Sequence, residues 1–129
     1  MVGVIAWQDR AQAMHQAIEK PGNWKIARSF PRFAIDVPMT ISGGKLESVL
    51  HGRIADIGLG GVCAILTVGH IRTGDRVQLE FALTGGSAPM SFMAKLKYVV
   101  EQRHGFQFLT ITPEQRERIR RACENLVIV

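Results

Sequence analysis

Phe33-Ala-Ile-Asp-Val-Pro-Met-Thr-Ile41 places Phe33, Ile35, Val37, Met39 and Ile41 on one side and Ala34, Asp36, Pro38 and Thr40 on the other. This two-residue period is that of a half-buried β-strand. Pro38 has no N–H for a ladder, so an edge or a bulge is expected there. Ser42-Gly43-Gly44-Lys45 then reads as a hairpin turn, and Leu46 to Ala55 as the returning strand. Asp56-Ile-Gly-Leu-Gly-Gly61 leads into a third strand, Val62 to Thr67. Gly74-Asp75 opens a fourth, with Val77, Leu79, Phe81 and Leu83 sharing one face. Gly85-Gly86-Ser87 turns the chain into a fifth, where Phe92, Ala94, Leu96, Tyr98 and Val100 face one way and Lys95 and Lys97 the other. Gly105 to Thr110 makes a sixth, with Phe106 and Phe108 inward.

The period changes at both ends. Trp7, Ala11, Met14 and Ile18 recur at helical spacing, which predicts a short helix over 5–20, ended by Pro21-Gly22. Asn23 to Pro31 is a connector. Thr112-Pro113-Glu114-Gln115 carries a capping box with proline at the first helical position. Beyond it, Ile119, Ala122, Cys123 and Leu126 form one apolar face, with arginines at 116, 118, 120 and 121 around the rest. The fold class is therefore all-β with flanking helices: a six-stranded antiparallel barrel, a short N-terminal helix and a C-terminal amphipathic helix. Residues 1–22 form a helical extension and 23–129 the barrel domain with its helix.

A length of 129 residues with 47% hydrophobic content implies one domain with a packed core. No apolar run approaches the roughly 18 residues of a membrane span. The opening residues are poorly flanked for a signal peptide, since Asp9 and Arg10 follow at once. Cys63 and Cys123 make neither a CxxC pair nor a disulfide framework, so a reducing, cytoplasmic setting is expected. The net charge of +5 is spread thinly and forms no basic stripe, which argues against general nucleic-acid binding. Tyr98, Trp7 and Trp24 do not share a strand face as a stacking platform for single strands would require.

Enzyme chemistry finds little support. His15, His51, His70 and His104 are scattered one per element without metal-ligand spacing, and read as ordinary surface or turn histidines. Gly58-Leu-Gly60-Gly61 lacks the lysine and hydroxyl residue of a P-loop. No nucleophile elbow or cysteine–histidine signature is present. No catalytic, metal or cofactor site is expected.

Two features remain. Arg28-Ser-Phe-Pro-Arg32 puts two arginines on one side of an extended segment, at most about 13 Å apart. Guanidinium forks grip phosphates or a guanine O6/N7 edge bidentately. The same pattern also describes two solvated arginines before a strand. In Asp56-Ile-Gly58-Leu-Gly60-Gly61, the carboxylate matches the N1–H and N2–H donors of guanine, and the glycines admit positive φ and close approach. The alternative is a tight turn in which Asp56 bonds its own backbone.

Together these features resemble the PilZ domain family of bacterial cyclic di-GMP receptors, whose pattern is RxxxR, a strand pair, [D/N]xSxxG, then the rest of a six-stranded barrel and a helix. Arg28 and Arg32 fit the first element, and Asp56 and Gly61 the second, over roughly residues 25–127. The resemblance implies a non-enzymatic second-messenger receptor. Arg28 and Arg32 would hold phosphates and guanine Hoogsteen edges, Asp56 would read a guanine, and Gly61 would permit close approach. Gly58 replaces the motif serine. One neutral hydrogen bond is worth about 0.5–1.5 kcal/mol, so its loss implies roughly twofold to twelvefold weaker binding. Ala27 supplies no additional arginine for a stacked dimeric ligand, which favours one ligand per site.

The resemblance further implies a mobile connector that closes over the ligand, re-aims the N-terminal helix and signals to a downstream protein partner. The alternative is a degenerate PilZ-like adapter with weak or no nucleotide binding, suggested by Gly58 and the apolar end Leu126-Val-Ile-Val129. The oligomeric state stays open.

Overall fold

The computed structural model describes residues 30–67, 71–84 and 86–129. The helix expected over 5–20, Ala27 and Arg28 lie outside the described residues. Six strands follow in order: β1 (Phe33–Ser42), β2 (Leu50–Ile57), β3 (Gly61–Ile65), β4 (Arg76–Phe81), β5 (Met90–Val100) and β6 (Arg103–Phe108). They pair antiparallel throughout and close into a barrel in the order β1-β2-β3-β6-β5-β4. One helix, α1 (Pro113–Cys123), follows.

The alternating residues do what their period asks. Phe33, Met39 and Ile41 of β1, Val77, Leu79 and Phe81 of β4, and Phe92, Ala94 and Leu96 of β5 are buried in one core. Rings of Phe81, Phe92 and Phe108 stack in series, with centroids 5.3 and 4.4 Å apart. Each such side chain contributes about 1.5–3 kcal/mol on full burial. A closed barrel leaves no long unpaired edge.

Departures from strict alternation mark where sequence and structure differ. The β1–β2 ladder shifts between Ala34 and Val37, so the bulge lies just before Pro38, leaving Ile35 and Val37 only half-buried. Pro38 pairs with Arg53 and sits one residue beyond the β1–β4 ladder, which starts at Met39. Its missing N–H therefore breaks no β4 bond. The hairpin connection is longer than four residues, because β2 begins at Leu50 rather than Leu46. Gly43 and Gly44, at φ +82° and +60°, make the turn, and the Leu46 N–H returns to the Gly43 carbonyl at 3.1 Å. On β5, Tyr98 and Val100 are 41% and 58% exposed and do not continue the core face. A bulge between Leu96 and Tyr98 changes their phase. His104 is buried rather than superficial, its Nδ1 2.9 Å from the Gln102 carbonyl.

The helix is capped as its sequence requires. Gln115 N–H donates to Thr112 Oγ1 at 3.1 Å, and Thr112 N–H donates to Gln115 Oε1 at 3.0 Å. The Gln115 amide also donates to the Ser91 carbonyl at 2.8 Å, tying the cap to β5. Ile119 and Cys123 are fully buried, so α1 completes the core. Past the helix the chain folds back along the entry to β1. Ala34 N–H donates to the Val127 carbonyl at 2.7 Å, and Val129 N–H to the Arg32 carbonyl at 2.9 Å. Leu126 and Ile128 pack against the core, while Val127 and Val129 remain exposed.

Candidate functional site

A single row of paired residues crosses four strands. Asp56 of β2 faces Cys63 of β3, Cys63 faces Gly105 of β6, and Gly105 faces Tyr98 of β5. Register shifts flank the row at both ends, between Ile54 and Asp56 and between Leu96 and Tyr98. Ile54 and Leu96 point into the core. The extra residues turn Asp56 and Tyr98 away from it, onto one outer face.

Arg32 reaches this face from the connector. Its Nη1 donates to Asp56 Oδ1 at 2.9 Å, bridging 24 residues of sequence. The two side chains retain only 13% and 10% exposure. A pair this shielded is screened far less than a surface ion pair, so it holds both groups in place. Asp56 does not bond its own backbone, as a plain turn would have it. Among the described residues, Arg32 is the side chain that donates to Asp56, through Oδ1.

The glycines of the second motif serve packing rather than positive φ. Among the described residues, the positive-φ glycines are Gly43, Gly44 and Gly74. A Cβ on Gly58 would collide with the Pro31 carbonyl and stand 3.0 Å from Arg32 Cδ. A Cβ on Gly61 would collide with the Phe106 carbonyl of β6. Gly58 N–H donates to the Gly61 carbonyl at 2.9 Å and closes the β2–β3 turn. Phe30 lies over Gly60, and Pro31 is fully buried. Residues 30–32 are docked on the turn: Pro31 packs on Gly58, and Arg32 is held by Asp56 and by the C-terminal tail.

Three further residues belong to this face. Arg103 Nη1 lies 3.9 Å from Cys63 Sγ. Burial pushes the Tyr98 phenol above its usual pKa, assisted by the Cys63 thiol beside it and the Asp56 carboxylate, and opposed by the Arg32 guanidinium. Tyr98 therefore senses both members of the motif pair. Sequence reasoning missed this because a bulge, invisible in a period, re-aimed Tyr98. Arg28 lies outside the described residues. Among the described residues no cluster of three His, Cys, Asp or Glu side chains can hold a metal, and both cysteines are buried. A groove of about 560 Å³ runs along β1 and β2 past Ile35, Arg53 and Thr67, away from Arg32 and Asp56.

A barrel closed in this order, with an arginine from the preceding connector docked on the β2–β3 turn, is matched by the family model of the PilZ domain over residues 27–125. The chain belongs to the PilZ domain family. PilZ domains are non-catalytic cyclic di-GMP receptors, and this chain is accordingly not an enzyme. Among solved PilZ structures, the PilZ domain of YcgR from Escherichia coli with c-di-GMP is 24% identical at a TM-score of 0.62, covering 74% of this chain and 87% of that one. YcgR from Escherichia coli in complex with c-di-GMP is 26% identical at a TM-score of 0.60, covering 70% of this chain and 41% of that one. The PilZ domain of CeSA from a cellulose-synthesizing bacterium is 15% identical at a TM-score of 0.57, covering 71% and 93%. No curated protein matches the chain significantly. No described helix of this PilZ domain is long and apolar enough to cross a membrane.

Proposed function

We propose that this PilZ domain is a receptor for cyclic di-GMP, bound on the face that carries Arg32 and Asp56. One observation supports this most: two motifs 24 residues apart meet as a shielded pair with Arg32 Nη1 2.9 Å from Asp56 Oδ1. The carboxylate accepts from guanine N1–H and N2–H, each oxygen having a second lone pair for Arg32. Guanidinium nitrogens not engaged with Asp56 face a phosphate or a Hoogsteen edge, and Arg28 completes the grip. Gly58 and Gly61 keep the turn low enough for the connector and for β6.

Residues 23–129 form the receptor unit and 1–22 an extension that responds to it. The relay to a downstream protein partner begins in the connector. The Arg32 carbonyl and Ala34 N–H are bonded to the C-terminal tail, so a ligand that shifts residues 32–34 acts on that tail as well as on the chain before Phe30. An adapter without nucleotide affinity has less support. Leu126 and Ile128 already pack against the core, and Gly58 has a packing role under Pro31.

Calorimetric titration of the chain with cyclic di-GMP, with GTP and cyclic GMP as controls, tests the proposal. Selective, saturable binding with one ligand per site is expected. Arg28→Ala and Arg32→Ala each weaken it by about tenfold to 150-fold, the range for bonds to charged groups. Unchanged affinity in both variants refutes the site.

A further inference from the structure

We propose that the groove on the outer face of β1, β2 and β3 seats this chain's own N-terminal segment, with the stripe Trp7, Ala11, Met14 and Ile18 laid into it. The groove lies where two ladders shift at one level of the barrel. On β1, Ile35 and Asp36 stand against the single residue Ala55 of β2. Ala55 also has no partner on β3, where Ala64 and Cys63 follow one another opposite Ile54 and Asp56. Bulges of this kind bend a strand and interrupt its pairing. The hollow left beside them is about 560 Å³, and half-buried Ile35, Ala55 and Ile65 line it. That is room for several side chains, within the roughly 300–1,000 Å³ of pockets that bury a drug-sized molecule.

Chemistry and reach select the occupant. The outer positions of β4 are Arg76, Gln78 and Glu80, whereas the groove presents isoleucine and alanine. Its rim charges, Arg53 and Asp36, already pair with each other at 2.6 Å, so the groove does not call for a charged ligand. It fits an apolar stripe with polar flanks. The sequence over 5–20 supplies one, since Asp9, Arg10, Gln16 and Glu19 fall outside the stripe of Trp7, Ala11, Met14 and Ile18. Such a helix gains its stability by burying that face against another element. The tether is short and starts in the right place. Phe30 lies over Gly60 in the β2–β3 turn, and Arg53 and Ile65 pair across the same hairpin, about 13 Å from that turn. The 12 residues from Ile18 to Phe30 reach up to about 40 Å, and Pro21-Gly22 suits a reversal between them.

Trp24→Phe leaves Trp7 as the single tryptophan of the full chain, so its emission maximum and its quenching by acrylamide report whether the indole is covered. In the folded chain Trp7 is expected to emit at shorter wavelength, and to be quenched less, than in the same chain unfolded in urea. Ile65→Gln or Ala55→Gln puts an amide on the groove wall. Each should shift the docking equilibrium by about fivefold to 150-fold, the range for burying an unpaired amide, and move both readouts toward their urea values. Thermal melts identify the variants that fold. A second measurement leaves the groove walls intact. Cys63 and Cys123 are buried, so an exposed Thr67→Cys at the groove takes a fluorescent acceptor. Trp7 should transfer energy to it more efficiently than to the same label on Ser91→Cys, which is exposed on β5 across the barrel. Trp7 as accessible as in urea, shielding unmoved in folded groove variants, or transfer no better to position 67 than to 91 overturns the proposal. Shielding that depends on chain concentration assigns the groove to a second copy and overturns docking within one chain. None of these outcomes bears on the receptor reading, which the nucleotide titration decides.

Discussion

Along β4, Arg76, Gln78 and Glu80 face solvent while Val77, Leu79 and Phe81 are buried, and neither its ladder with β1 nor that with β5 shifts register. On the other side of the ring, the β1–β2, β2–β3 and β5–β6 ladders each shift once, and two of these shifts flank the row from Asp56 to Tyr98. The two walls bury comparable side chains. They differ in what their outer faces do. A regular ladder presents evenly spaced groups to water, whereas an extra residue gives up local pairing to re-aim a side chain. Irregularity in this barrel is therefore concentrated where charged and aromatic groups have to converge.

The sharpest way to break that comparison is to damage the regular wall. Leu79 is fully buried on β4. Leu79→Ala should cost about 2–5 kcal/mol in urea unfolding, the range for an excavated core leucine. Below its melting transition its affinity for cyclic di-GMP should match the parent chain. A loss of affinity as large as the loss of stability would mean the walls are not separable.

A smaller effect comes from the bulged wall. Gly58→Ser restores the hydroxyl of the family pattern but places a Cβ against the Pro31 carbonyl. The unliganded chain should lose about 1–3 kcal/mol, as overpacked sites do. Affinity should rise roughly twofold to twelvefold, because a hydrogen bond is gained and the docked connector is loosened. Melting curves and titrations of the same preparation separate the two. A rise in stability would show that the connector does not rest on Gly58.

The smallest effect lies on the helix, away from both walls. Hydrogen bonding from Arg120, and then from Arg121, draws the Glu117 pKa down from 4.5 to about 2. A carboxylate whose folded pKa is depressed contributes stability that is present above its ordinary value and lost as pH falls through the folded one. Any stability difference between the parent chain and Glu117→Gln should therefore hold above pH 4.5 and vanish by about pH 2. The Glu117 side chain is about half-exposed, so the difference will be small, and nucleotide affinity should not follow it.

Legibility followed the same division. Strand identity, the inward sets of β4 and early β5, and the capping box at Thr112 were readable because each depends on neighbours a few residues away. So was the pairing of RxxxR with DxGxxG as a resemblance, and the structure brings its Arg32 and Asp56 together. The start of β2, the burial of His104 and the outward turn of Tyr98 were not readable. His104 shares the inward parity of Phe106 and Phe108 but lies before the point where the sixth strand was expected to begin, and the start of β2 depends on how long the connection after Gly43-Gly44 runs. Tyr98 depends on where a ladder gains a residue, which is settled between two strands rather than within one.

By itself, then, the sequence determined that six alternating segments and a capped helix would close one core, and that two arginines, an aspartate and one glycine stood in a family's order. Tertiary structure decided what those residues do. Gly58 is a seat for Pro31 because the connector crosses the β2–β3 turn. The apolar end is a partner of β1 because its main chain finds Arg32 and Ala34. Tyr98 joins Asp56 because bulges at both ends of a row bring their side chains onto one face. Periodicity is written in local spacing, whereas collisions and register between residues far apart in sequence exist only once the barrel has closed.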